Sequence, residues 1–221
     1  MLWLALFLPH LPLEVFSRGA ETTGPLLVAE GHGNRRWVCA RSRAAAVAGV
    51  HTCMDLSAAQ SLVRDGQVRP RAPEAEQAAL EGLADWGGQF TSTLSLHPPH
   101  GLLLEIGGSR LLFGGVEPLQ TALRRGMEAL GYRARLGIAP TPSGAWLLAR
   151  AGIEEAVFDR RQLHHHLAAL PLRSLDLPAE TLEALHGMGL HRLGECLRLP
   201  RAGLARRLGP GLLGYLDRAL G

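Results

Sequence analysis

The sequence predicts an α+β protein: a split βαβ sheet interrupted by an inserted segment and followed by an all-helical C-terminal part. Three observations carry this expectation. A continuous apolar run, Leu2 to Leu8, opens the chain and is ended by Pro9, as for a strand buried on both faces. From Glu74 to Ala151 the pattern alternates helix, strand, strand, helix, strand, helix. From Pro171 to Gly221 nothing has strand character, and short helical stretches are divided by Gly187-Met188-Gly189, by Pro200 and by Gly209-Pro210-Gly211.

After the first strand, Pro25 to Ala29 and Arg36 to Ala40 are short apolar runs joined by Gly31-His32-Gly33-Asn34, a hairpin signature. Helical periodicity follows over Ser42 to Ala48 and Leu56 to Val63, the second capped by the Asp55 and Ser57 region. Pro70 to Pro73 reads as a connector. A helix over Glu74 to Trp86 places Ala78, Leu80, Leu83 and Ala84 on one face and ends at Gly87-Gly88. Strands are expected at Phe90 to Leu96 and Gly101 to Ile106, around the turn His97-Pro98-Pro99-His100. A helix at Glu117 to Leu130, a strand at Ala134 to Ala139 and a helix at Ser143 to Ala151 complete the series. This order resembles a ferredoxin-like sheet with helices on one side.

With 47% hydrophobic and 19% charged residues in 221, the composition is that of a globular protein rather than a disordered one. The apolar opening is too short to span a bilayer and lacks a cationic start or a cleavage site, so a cytoplasmic protein is expected. Cys39, Cys53 and Cys196 are odd in number and lack C-x-x-C spacing, against a disulfide framework or zinc ribbon; they read as small buried thiols. All 23 basic residues are arginine, which excludes Schiff-base chemistry and a P-loop lysine. A net charge of +3 is compatible with a polyanionic partner without requiring one.

The segment Leu182 to Leu197 reads as helix, tight Gly-x-Gly turn, helix. Gly187 and Gly189 would let the backbone approach a phosphate, with N–H groups from the following helix and with Arg192, Arg198, Arg201 and Arg206 nearby as DNA contacts. Asp176, Glu180, Glu183, Glu195 and Asp217 dilute that patch. The segment resembles a helix-hairpin-helix, a sequence-independent clamp on the DNA backbone.

A split sheet with an insert after its first strand, followed by a helix-hairpin-helix, resembles the Y-family translesion DNA polymerases. Residues 1–18 and 70–165 would then form the palm, 19–69 the fingers and 167–221 the thumb, with the family's little-finger domain and C-terminal tail absent, as in a fragment or truncated product. The family opens with D-x-D-x-F-F-A-S-V-E; Glu14 matches the final Glu, and Ala5 stands nine residues before it. The family's S-I-D-E-A-Y-L-D-I lies without a gap on Pro98 to Ile106; Leu104, Glu105 and Ile106 match, but His100 and Gly101 replace the Asp and Glu. The fingers motif A-N-Y-x-A-R-x-x-G-V resembles Arg41 to Val50, with Arg43 and Ala46 at the triphosphate-binding Tyr and Arg. G-I-S-x-N-K-x-x-A-K-I-A falls on Gly137 to Leu148, its lysines replaced by Pro142 and Trp146, and the sugar-sensing position is His10.

Two-metal phosphoryl transfer needs several carboxylates around two cations. No Asp or Glu occurs from Met1 to Leu13 or between Asp85 and Glu105, so both strands that would form such a site are acid-free at their centres. Scaffold positions persist where metal- and triphosphate-binding positions do not. That division resembles a catalytically degenerate branch of the family, the polymerase-like subunit of bacterial damage-induced mutagenesis cassettes. The resemblance implies a non-catalytic scaffold that holds primer-template DNA, with no metal and no cofactor. Implied partners are an error-prone DnaE-type polymerase, a RecA-like accessory subunit, RecA and the sliding clamp, mostly through regions missing here. One rival is an active divergent polymerase recruiting Glu14, Glu105 or Asp85 for metal. Another is a protein-interaction module without DNA binding.

Simpler assignments cover the remaining residues. His164-His165-His166 reads as part of a linker, since consecutive helical side chains point about 100° apart and cannot all reach one ion. His97 and His100, and Cys39, His51 and Cys53, lack ligand spacing. Trp37, Trp86 and Trp146 read as core aromatics, with Trp146 also a plug for the vacated triphosphate pocket. Arg43 reads as a solvated helix charge or, otherwise, a phosphate contact.

Overall fold

A computed structural model describes residues 1–19, 24–33 and 35–221. Its first sheet has four antiparallel strands in the order β5-β6-β1-β7, where β1 is Trp3–Phe7, β5 Leu94–His97, β6 Gly101–Glu105 and β7 Arg135–Ala139. This is the ferredoxin-like order. The central strand β1 pairs Ala5 with Leu103 on one side and Gly137 on the other.

Alternation along β1 splits the core in two. Leu4 and Leu6, with Leu102, Leu104, Leu136 and Ile138, face helices α4 (Pro73–Gly87) and α5 (Val116–Ala129), which contribute Leu80, Leu83, Leu119, Leu123 and Met127. Ala5, Leu103 and Ala139 lie on the opposite face under α6 (Pro142–Ala151). The expectation of helices on one side is therefore corrected: α6 is apolar almost all round, burying Gly144 to Ala149 without interruption, and such a helix needs a partner on more than one side. Its other partners are the C-terminal helices α7 (Arg160–Ala169) and α11 (Pro210–Leu220). Thr141 caps α6 by accepting from the Gly144 N–H at 3.0 Å, and its hydroxyl donates to the Ala219 carbonyl at 2.7 Å.

Between β1 and the insert lies α1 (Leu11–Ser17), which periodicity did not reveal because it spans only two turns. A second sheet follows in the order β3-β2-β4, where β2 is Leu26–His32, β3 Arg35–Arg41 and β4 Gln67–Pro70. Residues 20–23 and Asn34 of the expected hairpin turn lie outside the described residues. Pro70, expected to open a connector, ends strand β4, which pairs in parallel with β2 at the sheet edge, where a proline costs no ladder bond. Helices α2 (Arg43–Val47) and α3 (Leu56–Leu62) start at Ser42 and Asp55, whose side chains cap the Ala45 N–H and the Ser57 and Ala58 N–H groups. Leu27, Val38, Val50 and Leu56 form a core of their own.

Several expectations change. Helix α4 buries Glu76, Leu80, Leu83 and Gly87, while Ala78 is exposed. The strand expected from Phe90 begins at Leu94; Phe90 instead folds back against Trp86 and Phe113, with ring centroids 5.1 and 5.4 Å away. Trp37 is 42% exposed, on the outer face of edge strand β3, and Cys53 is exposed. The three histidines lie on α7 rather than in a linker, because Asp159 caps that helix and Leu163 and Leu167 anchor it. No helix among the described residues is long and apolar enough to cross a membrane.

Among the described residues one charged link joins the insert to α4. Arg71 donates from Nε and Nη2 to both Glu76 oxygens at 2.9 Å and from Nη1 to Glu30 at 3.1 Å. Glu76 is buried and Glu30 half exposed. Removing Arg71 strands the Glu76 carboxylate. Arg71→Ala is therefore expected to cost about 3 kcal/mol in urea unfolding, and Glu30→Gln less than about 1 kcal/mol.

Candidate functional site

The sequence-predicted positions fall into three places. The first is the face of the main sheet beneath α6, where Ala5 is fully buried at the centre of β1 and Gly101 pairs with Phe7 at its end. A Cβ on Gly101 would collide with the Leu6 carbonyl and stand 2.7 Å from the Trp146 ring. Gly137 has the same role on the other side of β1, where a Cβ would meet the backbone of α6 at Ala145 and Ala149. These two glycines let α6 approach the sheet closely enough for Trp146 to lie against it. The indole packs edge-on to Phe7 at 5.3 Å and against His97 at 4.0 Å, and His100 lies 6.0 Å from Phe7. Burial holds both histidines below their ordinary range, Arg71 acting further on His100.

Trp146 is a core aromatic, as expected, but it fills the carboxylate side of the face. It does not line the space around His10 and Arg43, so the plug of a triphosphate pocket is corrected to a plug of the acidic positions. Pro142 opens α6. The three acids of the rival reading do not gather here. Glu105 accepts from the Leu2 and Gly107 N–H groups, both at 3.1 Å, at the far end of β1. Asp85 is exposed on α4, and Glu14 lies on α1. At Ala5 and Gly101 no side chain offers an oxygen, and the space holds an indole; these residues do not fit a divalent cation.

The second place is a cleft of about 510 Å³ between α1, the insert and the loop before β7. It brings together His10, Arg43 and Ala46, which the sequence singled out, with Glu14, Arg41 and Arg133. Glu14 is 6% exposed; its Oε1 accepts from the Arg133 N–H at 3.1 Å and its Oε2 is buried without a partner. Burial pushes this carboxyl up to about 7, against the opposing pull of the Arg133 N–H and charge. Partial desolvation and the charges of Arg135, Arg133 and Arg41 hold His10 below its ordinary range. The Arg41 Nε is also buried and unpartnered. Arg133 escaped the sequence because it meets Glu14 across 119 residues with no motif at either end.

The third place is the turn between α8 (Ala179–Gly187) and α9 (Leu193–Leu197). Gly189 has φ +76°, and its N–H and that of Leu190 close on the His186 and Leu185 carbonyls, a Schellman ending that favours glycine. Gly187 is in open space and needs no glycine for packing. The N–H groups of His191 and Arg192 donate to Glu195 Oε2 at 2.6 and 3.0 Å, so the helix end expected to face a phosphate already holds a carboxylate. Arg201 is paired with Asp217 at 2.7 Å, and Arg192 reaches the Ala169 carbonyl at 3.3 Å. Arg198 and Arg206 are exposed without an ion-pair partner among the described residues.

Residues 18–150 match the model of the impB/mucB/samB family. The chain belongs to that family. Two Protein ImuB sequences, from the NA1000 / CB15N and CB 15 strains of Caulobacter vibrioides, are each 37% identical over 163 residues. The match covers 74% of this chain but only 36% of each relative, so the chain spans about a third of their length. DinB from Sulfolobus solfataricus superposes with a TM-score of 0.74 at 16% identity, over 99% of this chain and 67% of that one. An insertion ternary complex of Dbh DNA polymerase gives 0.77 at 15%, with the same coverage. A chimeric Y-family DNA polymerase gives 0.79 at 14%. The fold of the Y-family polymerases thus extends over 99% of this impB/mucB/samB chain.

The raised carboxyl of Glu14 has a measurable signature. Its folded value of about 7 exceeds the ordinary 4.5, so the native state binds the extra proton and stability falls as pH rises between those values. Glu14→Gln is expected to abolish that slope, the variant gaining up to about 3 kcal/mol relative to wild type by pH 8 in urea titrations.

Proposed function

We propose that this chain is the DNA-holding body of a non-catalytic family member, a scaffold on which damage-induced, error-prone translesion synthesis is carried out by a separate polymerase. The observation that carries the reading is the Trp146 ring against Gly101. A carboxylate cannot return to that position without displacing an indole packed on Phe7 and His97. Two-metal chemistry needs oxygen ligands at that place. Likeness to Protein ImuB supports the same branch, and the DnaE-type polymerase, the RecA-like subunit, RecA and the sliding clamp stay as proposed partners.

DNA is proposed to meet the thumb at the α8–α9 turn. The bare surface at Gly187 and the unpaired Arg198 and Arg206 favour it. Arg192 and Arg201 join only by leaving the Ala169 carbonyl and Asp217, and Gly189 contributes through the turn it permits. Contacts of this kind go to phosphates and carry no sequence preference.

Fluorescence anisotropy of labelled primer-template DNA at several salt concentrations tests the binding half. Gly187→Glu is expected to weaken binding at least tenfold, and Arg198→Gln with Arg206→Gln to lower the salt slope by about 2. Absence of binding at low salt would turn this body into a protein-interaction module. Primer extension tests the other half: neither wild type nor Ala5→Asp with Gly101→Glu is expected to add nucleotides in Mg²⁺ or Mn²⁺. Template-directed extension by wild type that disappears in Glu105→Ala would overturn the scaffold reading.

A further inference from the structure

We infer that the groove on the outer side of α4, between its small residues Ala75, Ala78, Ala79 and Gly82 and the side chain of Arg18, is a docking surface for an amphipathic helix of a protein partner. That helix carries carboxylates on one flank and cationic side chains on the other. The groove, of about 390 Å³, lies on the face of the main sheet opposite α6, so it is separate from Trp146 and from the α8–α9 turn.

Gly82 points to something outside the chain. It stands in the middle of α4, where glycine costs helix stability relative to alanine, and a Cβ there would meet nothing within 4 Å. The chain's own packing therefore does not ask for it. Gly126 on α5 is the contrast: a Cβ there would stand 2.2 Å from Trp86, so that glycine serves the fold by letting the indole lie down beside the groove. Ala75, Ala78 and Gly82 are exposed and fall, with Ala79, at the i, i+3, i+4, i+7 spacing of one helix face. At a rise of about 1.5 Å per residue the stripe runs about 10 Å, or two turns. Residues this small let a second helix axis come close. No strand edge borders the groove, so an added strand would have nothing to pair with.

The two sides of the groove differ in charge. Glu74, Glu81 and Asp85 are exposed on α4 and make no ion pair among the described residues. At about 100° per residue they fall within about 40° of one another, beside the stripe. On the other side Arg18, also without an ion-pair partner among the described residues, lies over the Tyr132 ring with its guanidinium carbon 5.1 Å from the centroid. Tyr132 lines the groove and is 1% exposed, and its hydroxyl has no hydrogen-bond partner among the described residues. A carboxylate on this side gives the guanidinium an anion and, once the guanidinium swings onto it, the phenol an acceptor. Cationic side chains on the opposite flank of the same helix reach the three acids of α4. Val15, Leu83 and Trp86 form an apolar floor for the stripe between those flanks.

The test is fluorescence anisotropy of a labelled, helix-forming peptide of about 18 residues titrated with the full chain. The peptide has leucines at i, i+4, i+7 and i+11, glutamates along one flank and lysines along the other. Saturable binding is expected. Gly82→Gln is expected to weaken it at least tenfold while raising the midpoint of thermal unfolding by about 2–4 °C, which separates the loss from a folding defect. Tyr132→Phe is expected to weaken it about fivefold. Arg18→Glu is expected to reverse a preference: wild type favours this peptide over one with lysine on both flanks, and the variant favours the all-lysine peptide. No saturable binding, unchanged binding in Gly82→Gln or Tyr132→Phe, or a preference that Arg18→Glu leaves in place would overturn the inference. So would a chain that sediments as a dimer and becomes monomeric in Gly82→Gln, since the groove would then belong to a second copy.

Discussion

The structure depends on how closely α6 lies on the main sheet. Backbone-to-backbone approach at Gly137, and indole-to-backbone approach at Gly101, leave no room for a side chain at either position. Interiors packed to this density transmit any added volume to their neighbours. The same contact settles two things at once: it fills the face beneath α6 with an indole, and it sets the height of the helix on which the C-terminal part rests.

That second effect gives the molecule its continuity. One hydrophobic core runs from Ala5 and Leu103 through Trp146 and Leu147 into Leu163, Leu185, Leu193 and Leu216, so sheet and C-terminal helices share a single interior. The Thr141 hydroxyl ties the last helix to the start of α6 inside it. A surface patch on α8 or α9 is therefore held at a defined orientation to the sheet.

Much of the architecture was legible in the sequence because it rests on local pattern: the seven-residue apolar run of β1, the helical spacing of α5 and the glycine punctuation of the C-terminal helices. What escaped was either short or long-range. Helix α1 is too brief to show periodicity, and β4 owes its existence to pairing with β2 rather than to its own residues. The motif positions Ala5, Gly101, His10 and Arg43 could be located in the sequence, but not where Trp146 would go, since it meets Phe7 across 139 residues and His97 across 49. Glu14 was visible as a motif match; its companions Arg41 and Arg133 were not, because a cleft between two bodies has no spacing signature. The α8–α9 turn shows the opposite error, a pattern that promised free N–H groups which Glu195 in fact occupies.

The insert stands on different terms. Its core of Leu27, Val38, Val50 and Leu56 shares no residue with the two cores of the main body, and Arg71 is its charged tether to α4. A part built this way is expected to open as its own cooperative unit while the remainder holds. Because the cleft takes Arg41 and Arg43 from the insert and Glu14 and Arg133 from outside its core, opening of the insert would part the walls of the cleft. Amide exchange in β2 and β3 would then report that opening, while exchange in β1 and β6 would not.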